Sequence, residues 1–185
     1  SFSPDGNTMY FSRESFYDNM FVKDSLKNKV SVLNLYYSNK LSDGWSDVTP
    51  LHFNSENYSV KNPSVSSDGK TLYFVSNKDG GFGNHDIYVT QWDTVKMDWG
   101  EAKNVGPVIN TKYNEGAPTY SADGKYVIFV GCEFGYRGEF NYGEGREGYG
   151  SCDLFASERV GDKWTPPFNL GKPINTGHWE SQPCF

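Results

Sequence analysis

Residues 63–76 read PSVSSDGKTLYFVS, a short polar turn that runs directly into an apolar strand. Nearly the same phrase opens the chain as SFSPDGNTMYFS at residues 1–12, and it returns at residues 118–130 as PTYSADGKYVIFV. A phrase used three times is either a site made in triplicate or a unit from which a larger wall is built. The turn aspartates Asp5, Asp68 and Asp123 lie 63 and 55 residues apart. Four residues beyond each stands Met9, Leu72 or Val127, and six beyond stands Phe11, Phe74 or Phe129.

The repeat continues past the turn. A second strand begins NLYY at 34, DIYV at 86 and DLFA at 153, and Trp45, Trp99 or Trp164 follows 11, 13 and 11 residues later. The later two units close on NVGPVINT at 104 and NLGKPINT at 169, and Glu115 and Glu180 then precede Pro118 and Pro183 by three residues. The first unit departs from this pattern, with Val60 in the place of the Glu and Asn34 in the place of the Asp.

Asp-Gly between two strands predicts a hairpin, because Gly accepts the positive φ that the turn demands. The strand after it is apolar on both faces, Leu72 and Phe74 on one side and Tyr73 and Val75 on the other. Such a strand needs a layer above and a layer below. An all-β fold follows: four-stranded units stacked face to face around an axis, a β-propeller. The units are expected at about residues 1–62, 63–117 and 118–182, with 183–185 beginning a fourth. Ser1 and Phe2 hold the positions of Ser64 and Val65, and Cys184 and Phe185 hold them again. Propellers typically have about 4 to 8 blades. The expectation is therefore a fragment of about three blades, the others absent from it or supplied by another chain.

Composition agrees. Aromatic residues make up 17% of the 185 residues and there are 20 Gly, a balance that favours strands and tight turns. No stretch approaches the roughly 20 apolar residues of a membrane span, so no transmembrane segment is expected in this fragment. A net charge of −6 argues against nucleic acid as a partner.

The P-x-x-S-x-D-G-K-x-L-Y-F-x-S phrase at 63–76 resembles TolB-type propeller repeats. So do G-G-x-G-x-x-D-I-Y-V at 80–89 and N-x-G-x-x-I-N-T-x-x-x-E-x-x-P at 104–118. More narrowly, the phrases are similar to the WD40-like repeats of Gram-negative cell-envelope proteins that often also carry an OmpA-like peptidoglycan-binding domain. The resemblance implies a role in the periplasm or at the outer membrane, through protein–protein interaction in an assembly, secretion or peptidoglycan-tethered complex. Glycan or peptidoglycan contacts would then fall to other domains.

Catalysis needs one asymmetric constellation, whereas a scaffold needs the same contact in every unit. The recurring residues are therefore read as structural: Asp5, Asp68 and Asp123 in the turns, Phe11, Phe74 and Phe129 in the strands, Trp45, Trp99 and Trp164, and Glu115 and Glu180. Function is sought where the units differ. The connection between second and third strands is short at 77–85, but becomes ESFYDNMFVKDSLKNK at 14–29 and EFGYRGEFNYGEGREGYG at 133–150. Both insertions are expected on the face that carries the INT-x-x-x-E segments. Loops on a rigid scaffold are where binding resides. Candidate partner contacts are Phe16, Tyr17 and Phe21 in the first insertion. In the second they are Tyr136, Arg137, Phe140, Tyr142, Arg146 and Tyr149, a Tyr/Arg/Gly composition suited to recognition. The alternative is a loop folded over its own blade. Cys132 and Cys152 flank this insertion on antiparallel neighbours, within disulfide range, and a bridge there implies an oxidising compartment.

Other signals carry less. Gly143, Gly145 and Gly148 spell a lone G-x-G-x-x-G, but in a Gly-rich loop with Glu144 and Glu147 beside it rather than between a strand and a helix. No G-x-S-x-G nucleophile elbow is present. His52, His85 and His178 occupy different phases of the repeat. Neither Asn77, Asp79 and Asp86 nor Glu133, Glu139, Glu144 and Glu147 have EF-hand spacing for Ca²⁺. No catalytic residue, cofactor or metal is expected. The alternative function is a carbohydrate-active or glycan-binding propeller working at its central face, and a third reading is a propeller that gates a peptidase domain outside these residues.

Overall fold

The computed structural model describes residues 1–18, 29–132 and 146–185, and every regular element among them is a β-strand. The first sheet contains β1 (Thr8–Asp18), β2 (Lys29–Leu41), β3 (Gly44–Trp45) and β4 (Thr49–Pro50). The second contains β5 (Val60–Val65), β6 (Thr71–Ser76), β7 (Asp86–Asp93), β8 (Asp98–Trp99) and β9 (Lys103–Asn104). The third contains β10 (Asn114–Tyr120), β11 (Tyr126–Cys132), β12 (Cys152–Val160), β13 (Lys163–Trp164) and β14 (Phe168–Asn169). In each, the long strands form an antiparallel meander and the two short outer pieces both pair with its last long strand. Residues 1–3 take the inner-strand place of the first sheet, where Ser1 and Tyr10 exchange backbone bonds of 2.9 and 2.8 Å.

The turn of the repeated phrase closes identically three times. Asp68 accepts the Ser66 hydroxyl at 2.5 Å and the Lys70 amide at 3.0 Å, while Ser66 Oγ accepts the Thr71 amide at 2.9 Å. Asp5 with Ser3, and Asp123 with Ser121, repeat these bonds. The hydroxyl bond first, and the amide bond second, hold all three carboxyls below their ordinary range. Gly6, Gly69 and Gly124 follow at φ of 70, 70 and 69°, the left-handed region that a side chain resists.

Strand alternation then builds the core. Leu72 and Phe74 pack with Tyr10, Leu35 and Trp99 between the first and second sheets, and Tyr73 and Val75 pack with Val127, Phe129 and Phe155 between the second and third. The two faces of β6 therefore belong to two different interfaces, as the apolar run requires. Trp99 and Trp164 point toward the preceding sheet. Trp99 is 3% exposed and meets Tyr10 edge-on at 5.9 Å, and Trp164 meets Tyr120, which stacks on Tyr73 at 3.5 Å. Trp45 touches only Phe2 among the aromatic rings and is 42% exposed, because no sheet precedes the first among the described residues.

An asparagine ties each sheet to the segment that leaves it. Asn110 Oδ1 accepts the Ile87 amide at 2.8 Å and its Nδ2 donates to the Ile87 carbonyl at 2.9 Å. Asn175 does the same to Leu154 at 2.9 and 2.8 Å, and Asn54 to Leu35 at 2.9 and 2.7 Å. The chain then crosses to the next inner strand, where the Glu115 amide bonds the His85 carbonyl at 2.8 Å and the Glu180 amide bonds that of Cys152 at 3.0 Å. Two residues on comes a kink before a proline: Asn62, Ala117 and Gln182 have φ of 53, 42 and 54°. Positive φ at a residue with a side chain costs about 1–3 kcal/mol, so the kink persists only because packing on both sides imposes it.

The face assignment predicts unequal costs at equivalent positions. Phe129 is fully buried between two sheets, whereas Phe11 is half-buried on the outer face of the first. Phe129→Ala is expected to cost ~3–5 kcal/mol in denaturant unfolding and Phe11→Ala less than half of that. Equal costs would show that the faces are wrongly assigned.

Candidate functional site

The connections between second and third strands, the INT segments and the starts of the inner strands all lie at one end of the sheets. Their order is set by buried aspartates. Asp86 accepts the Phe82 and Gly83 amides at 2.6 and 3.1 Å and the Asn104 side-chain amide at 2.8 Å. Asp153 accepts the Tyr149, Gly150 and Asn169 groups at 2.6, 3.1 and 2.7 Å. Each of these carboxylates is engaged by three protein donors. Glycine is required beside them. A Cβ at Gly83 would meet the Tyr113 carbonyl oxygen at 2.1 Å, and one at Gly150 that of His178 at 2.0 Å. The loops are thus pressed against the next inner strand, and Phe82 and Tyr149 point outward at 49% and 43% exposure.

In the first sheet Asn34 stands in the place of the aspartate, and the chemistry changes with it. The Ser55 amide donates to its Oδ1 at 3.4 Å. Its Nδ2 donates to the Tyr17 hydroxyl at 2.8 Å. Residues 14–18 and 29 of the segment expected to form a loop instead prolong the hairpin, with β1 and β2 paired as far as Asp18 and Lys29. Phe16 projects from this extension at 61% exposure, while Tyr17 is half-buried. Phe21, Tyr136, Arg137, Phe140 and Tyr142 lie outside the described residues.

Cys132 and Cys152 are register partners on β11 and β12 and form a disulfide. It closes the second insertion at its base, and a loop of this length is worth about 3 kcal/mol in the chain-entropy account. Cys184 is free and exposed.

Arg146 differs from the expectation of an exposed contact. It is 9% exposed, and its Nη2 donates to the Val108 and Ile109 carbonyls at 2.7 and 2.8 Å. The guanidinium lies 5.7 and 6.0 Å from the rings of Phe129 and Phe155, and Nη1 is 3.6 Å from Glu115 Oε1 without a hydrogen bond. The insertion thus ends by driving a cation between the second and third sheets. The sequence has no signal for this beyond an arginine in a glycine-rich loop. Glu115 is bound in turn by the Thr111 amide and hydroxyl at 2.9 and 2.6 Å. Burial pushes its carboxyl up to about 7 despite those bonds and the arginine. Glu180 repeats the threonine contact through Thr176.

Beside Glu115 a cavity of about 310 Å³ opens along the inner strands, walled by Val75, Val130 and Trp179 and reached by Lys61 and His85. His85 Nδ1 is 3.0 Å from Asn114 Oδ1, and burial lowers the pKa values of both Lys61 and His85. Neither residue was singled out by the repeat, because each stands where the units differ. Among the described residues no group of three or more His, Cys, Asp or Glu is placed to hold a metal.

The raised Glu115 pKa has a direct consequence. A carboxyl at about 7 when folded and 4.5 when unfolded stabilises fully below pH 4.5, and that stability is lost as pH rises to about 7. The expected loss is on the order of 3 kcal/mol, and Glu115→Gln is expected to abolish it. Unfolding free energies of the two proteins between pH 5 and 8 check this. Their difference isolates Glu115 from His85, whose pKa burial lowers.

No protein-family model matches the sequence, and neither does any curated protein. Among solved structures, a TolB of Agrobacterium tumefaciens superposes with a TM-score of 0.54 at 16% identity, over 98% of this chain and 52% of that one. A TolB of Acinetobacter baumannii gives 0.47 at 19% identity over 89% of this chain and 30% of that one, and the tricorn protease 0.42 at 8% identity over 88% and 14%. The chain thus spans about half the length of the first of these. No similarity found bears on an OmpA-like domain. The three antiparallel sheets, packed face to face, are part of a β-propeller of the TolB fold.

Proposed function

We propose that this propeller is a non-enzymatic interaction scaffold of the bacterial cell envelope. It holds a partner protein at the end that carries the insertions, within an outer-membrane, secretion or peptidoglycan-tethered complex. One contrast carries the reading. The recurring polar side chains spend their hydrogen bonds inside the blades, while side chains outside that network, Phe16, Phe82 and Tyr149, project at that end. Exposed aromatic anchors on a rigid base are the usual energetic centres of protein interfaces. The contacts extend to Phe21, Tyr136, Arg137, Phe140 and Tyr142, whose composition suits the same task. The disulfide and the resemblance of the repeats support a periplasmic or outer-membrane-associated location.

Recovery of the full-length protein with its neighbours from native envelopes, by crosslinking and quantitative mass spectrometry, tests this. Replacing Phe16, Phe82 and Tyr149 together by Ala is expected to lower recovery of a defined partner about tenfold or more, at unchanged melting temperature. Wild-type recovery of every partner would overturn the assignment.

A further inference from the structure

At the opposite end, where the Asp-Gly turns lie, a cleft of about 420 Å³ separates the first and second sheets. Four aromatic rings meet there, two from each sheet. Tyr10 and Trp99 form its buried floor at 8% and 3% exposure, and the half-buried Tyr37 and Trp92 rise beside them. The rings are inclined rather than stacked: Trp92 meets Trp99 at 83°, Tyr10 meets Trp99 at 70°, and Tyr10 meets Tyr37 at 41°. Inclined rings wall a box, whereas stacked rings cover one another.

The rim is polar and balanced in charge. His52 Nδ1 lies 3.3 Å from Asp98 Oδ2, with both side chains about half exposed at 47% and 50%. Asp98 Oδ1 accepts the Trp99 amide at 2.7 Å, and Lys96 and Asn39 complete the rim. The corresponding cleft between the second and third sheets has the opposite character. Its two tyrosines, Tyr73 and Tyr120, stack on each other at 3.5 Å, and Asp68, Asp123, Arg159 and Asp162 surround them. The aromatic box is therefore particular to one junction and not a by-product of the repeat.

We propose that the cleft between the first and second blades is a binding site for a neutral pyranose ring, taken either from a free oligosaccharide or from the end of a glycan. An aromatic floor accepts the C–H face of a sugar ring, and the rim supplies donors and acceptors for its hydroxyls. A cationic ligand has no unpaired carboxylate to meet, since Asp98 is engaged by His52 and by the Trp99 amide. An anion entering beside Lys96 meets Asp98 two residues away. This site lies at the other end of the blades from the insertions and is independent of the partner surface.

The test titrates the full-length protein with cellotriose, mannotriose and chitotriose, followed by tryptophan fluorescence and calorimetry. Sedimentation with purified peptidoglycan sacculi serves as the tethered source. Saturable binding of at least one probe is expected, with Kd on the order of 1 mM or tighter. Asp98→Asn keeps the acceptor for the Trp99 amide, and both it and Trp92→Ala are expected to weaken binding about tenfold. Arg159→Ala in the neighbouring cleft is expected to leave it unchanged. Binding to sacculi alone would assign the tethered source, and binding to free trisaccharides the soluble one. Three results would each overturn the proposal: no saturable binding to any probe, affinities unaltered in Asp98→Asn, or preferential binding of tetramethylammonium.

Discussion

Every blade ends on the same small constraint, an asparagine whose amide holds both backbone groups of one residue in the third strand. Asn54, Asn110 and Asn175 grip Leu35, Ile87 and Leu154 in this way. The outer strands are only two residues long, so they cannot satisfy the whole edge of that strand. The side-chain amide finishes the ladder where the backbone turns away. Because it sits at the start of the crossing to the next blade, it also fixes where the next inner strand begins. Asn110 and Asn175 are almost completely buried, and a buried amide or carbonyl left without a partner costs about 1–3 kcal/mol. The buried aspartates, the glycine-tight loops and the kinked pre-proline residues all stand on this placement.

The fold was legible in the sequence because its determinants are local and repeated. The Asp-Gly turn and the two-faced apolar strand are decided within a dozen residues, and both appear in the structure as read. The Cys132–Cys152 bridge was legible for a related reason, since cysteines flanking a hairpin loop fall on paired strands. Legibility ended where the deciding contact is distant. Arg146 reads as an exposed recognition residue, yet it caps carbonyls 37 and 38 residues away and lies between sheets. The first insertion reads as a loop from residue 14, yet continued pairing carries β1 to Asp18 and β2 back to Lys29, and the Tyr17–Asn34 bond supports that ladder. Two of the clamp asparagines, Asn110 and Asn175, lie within the quoted INT phrases, whereas the sequence reading turns on the glutamate after them. Only the structure shows that the Asn holds backbone.

The two ends of the blades are chemically distinct. At one, buried ionic and hydrogen-bonded groups brace loops that present isolated aromatics. At the other, charged turns repeat, and a single junction holds inclined rings beneath a polar rim. The difference arises from substitutions within a shared frame: Tyr37 and Trp92 where the neighbouring junction has no ring to match, and Glu115 with Arg146 where the first junction has Val60. A repeat fixes the frame and frees these positions to diverge. Fold alone therefore assigns no chemistry here, and the departures from the repeat carry it.

The central claim is that recurrent polar side chains fasten blades rather than form a site in triplicate. Denaturant unfolding of Asn110→Ala and Asn175→Ala tests it most directly. Each substitution strands the Ile87 or Leu154 amide, while the carbonyl of the same residue keeps the Val105 or Leu170 amide, and the account predicts a loss of about 1–3 kcal/mol. Unfolding free energies within about 0.5 kcal/mol of the parent would contradict it, because that is the range of a surface change.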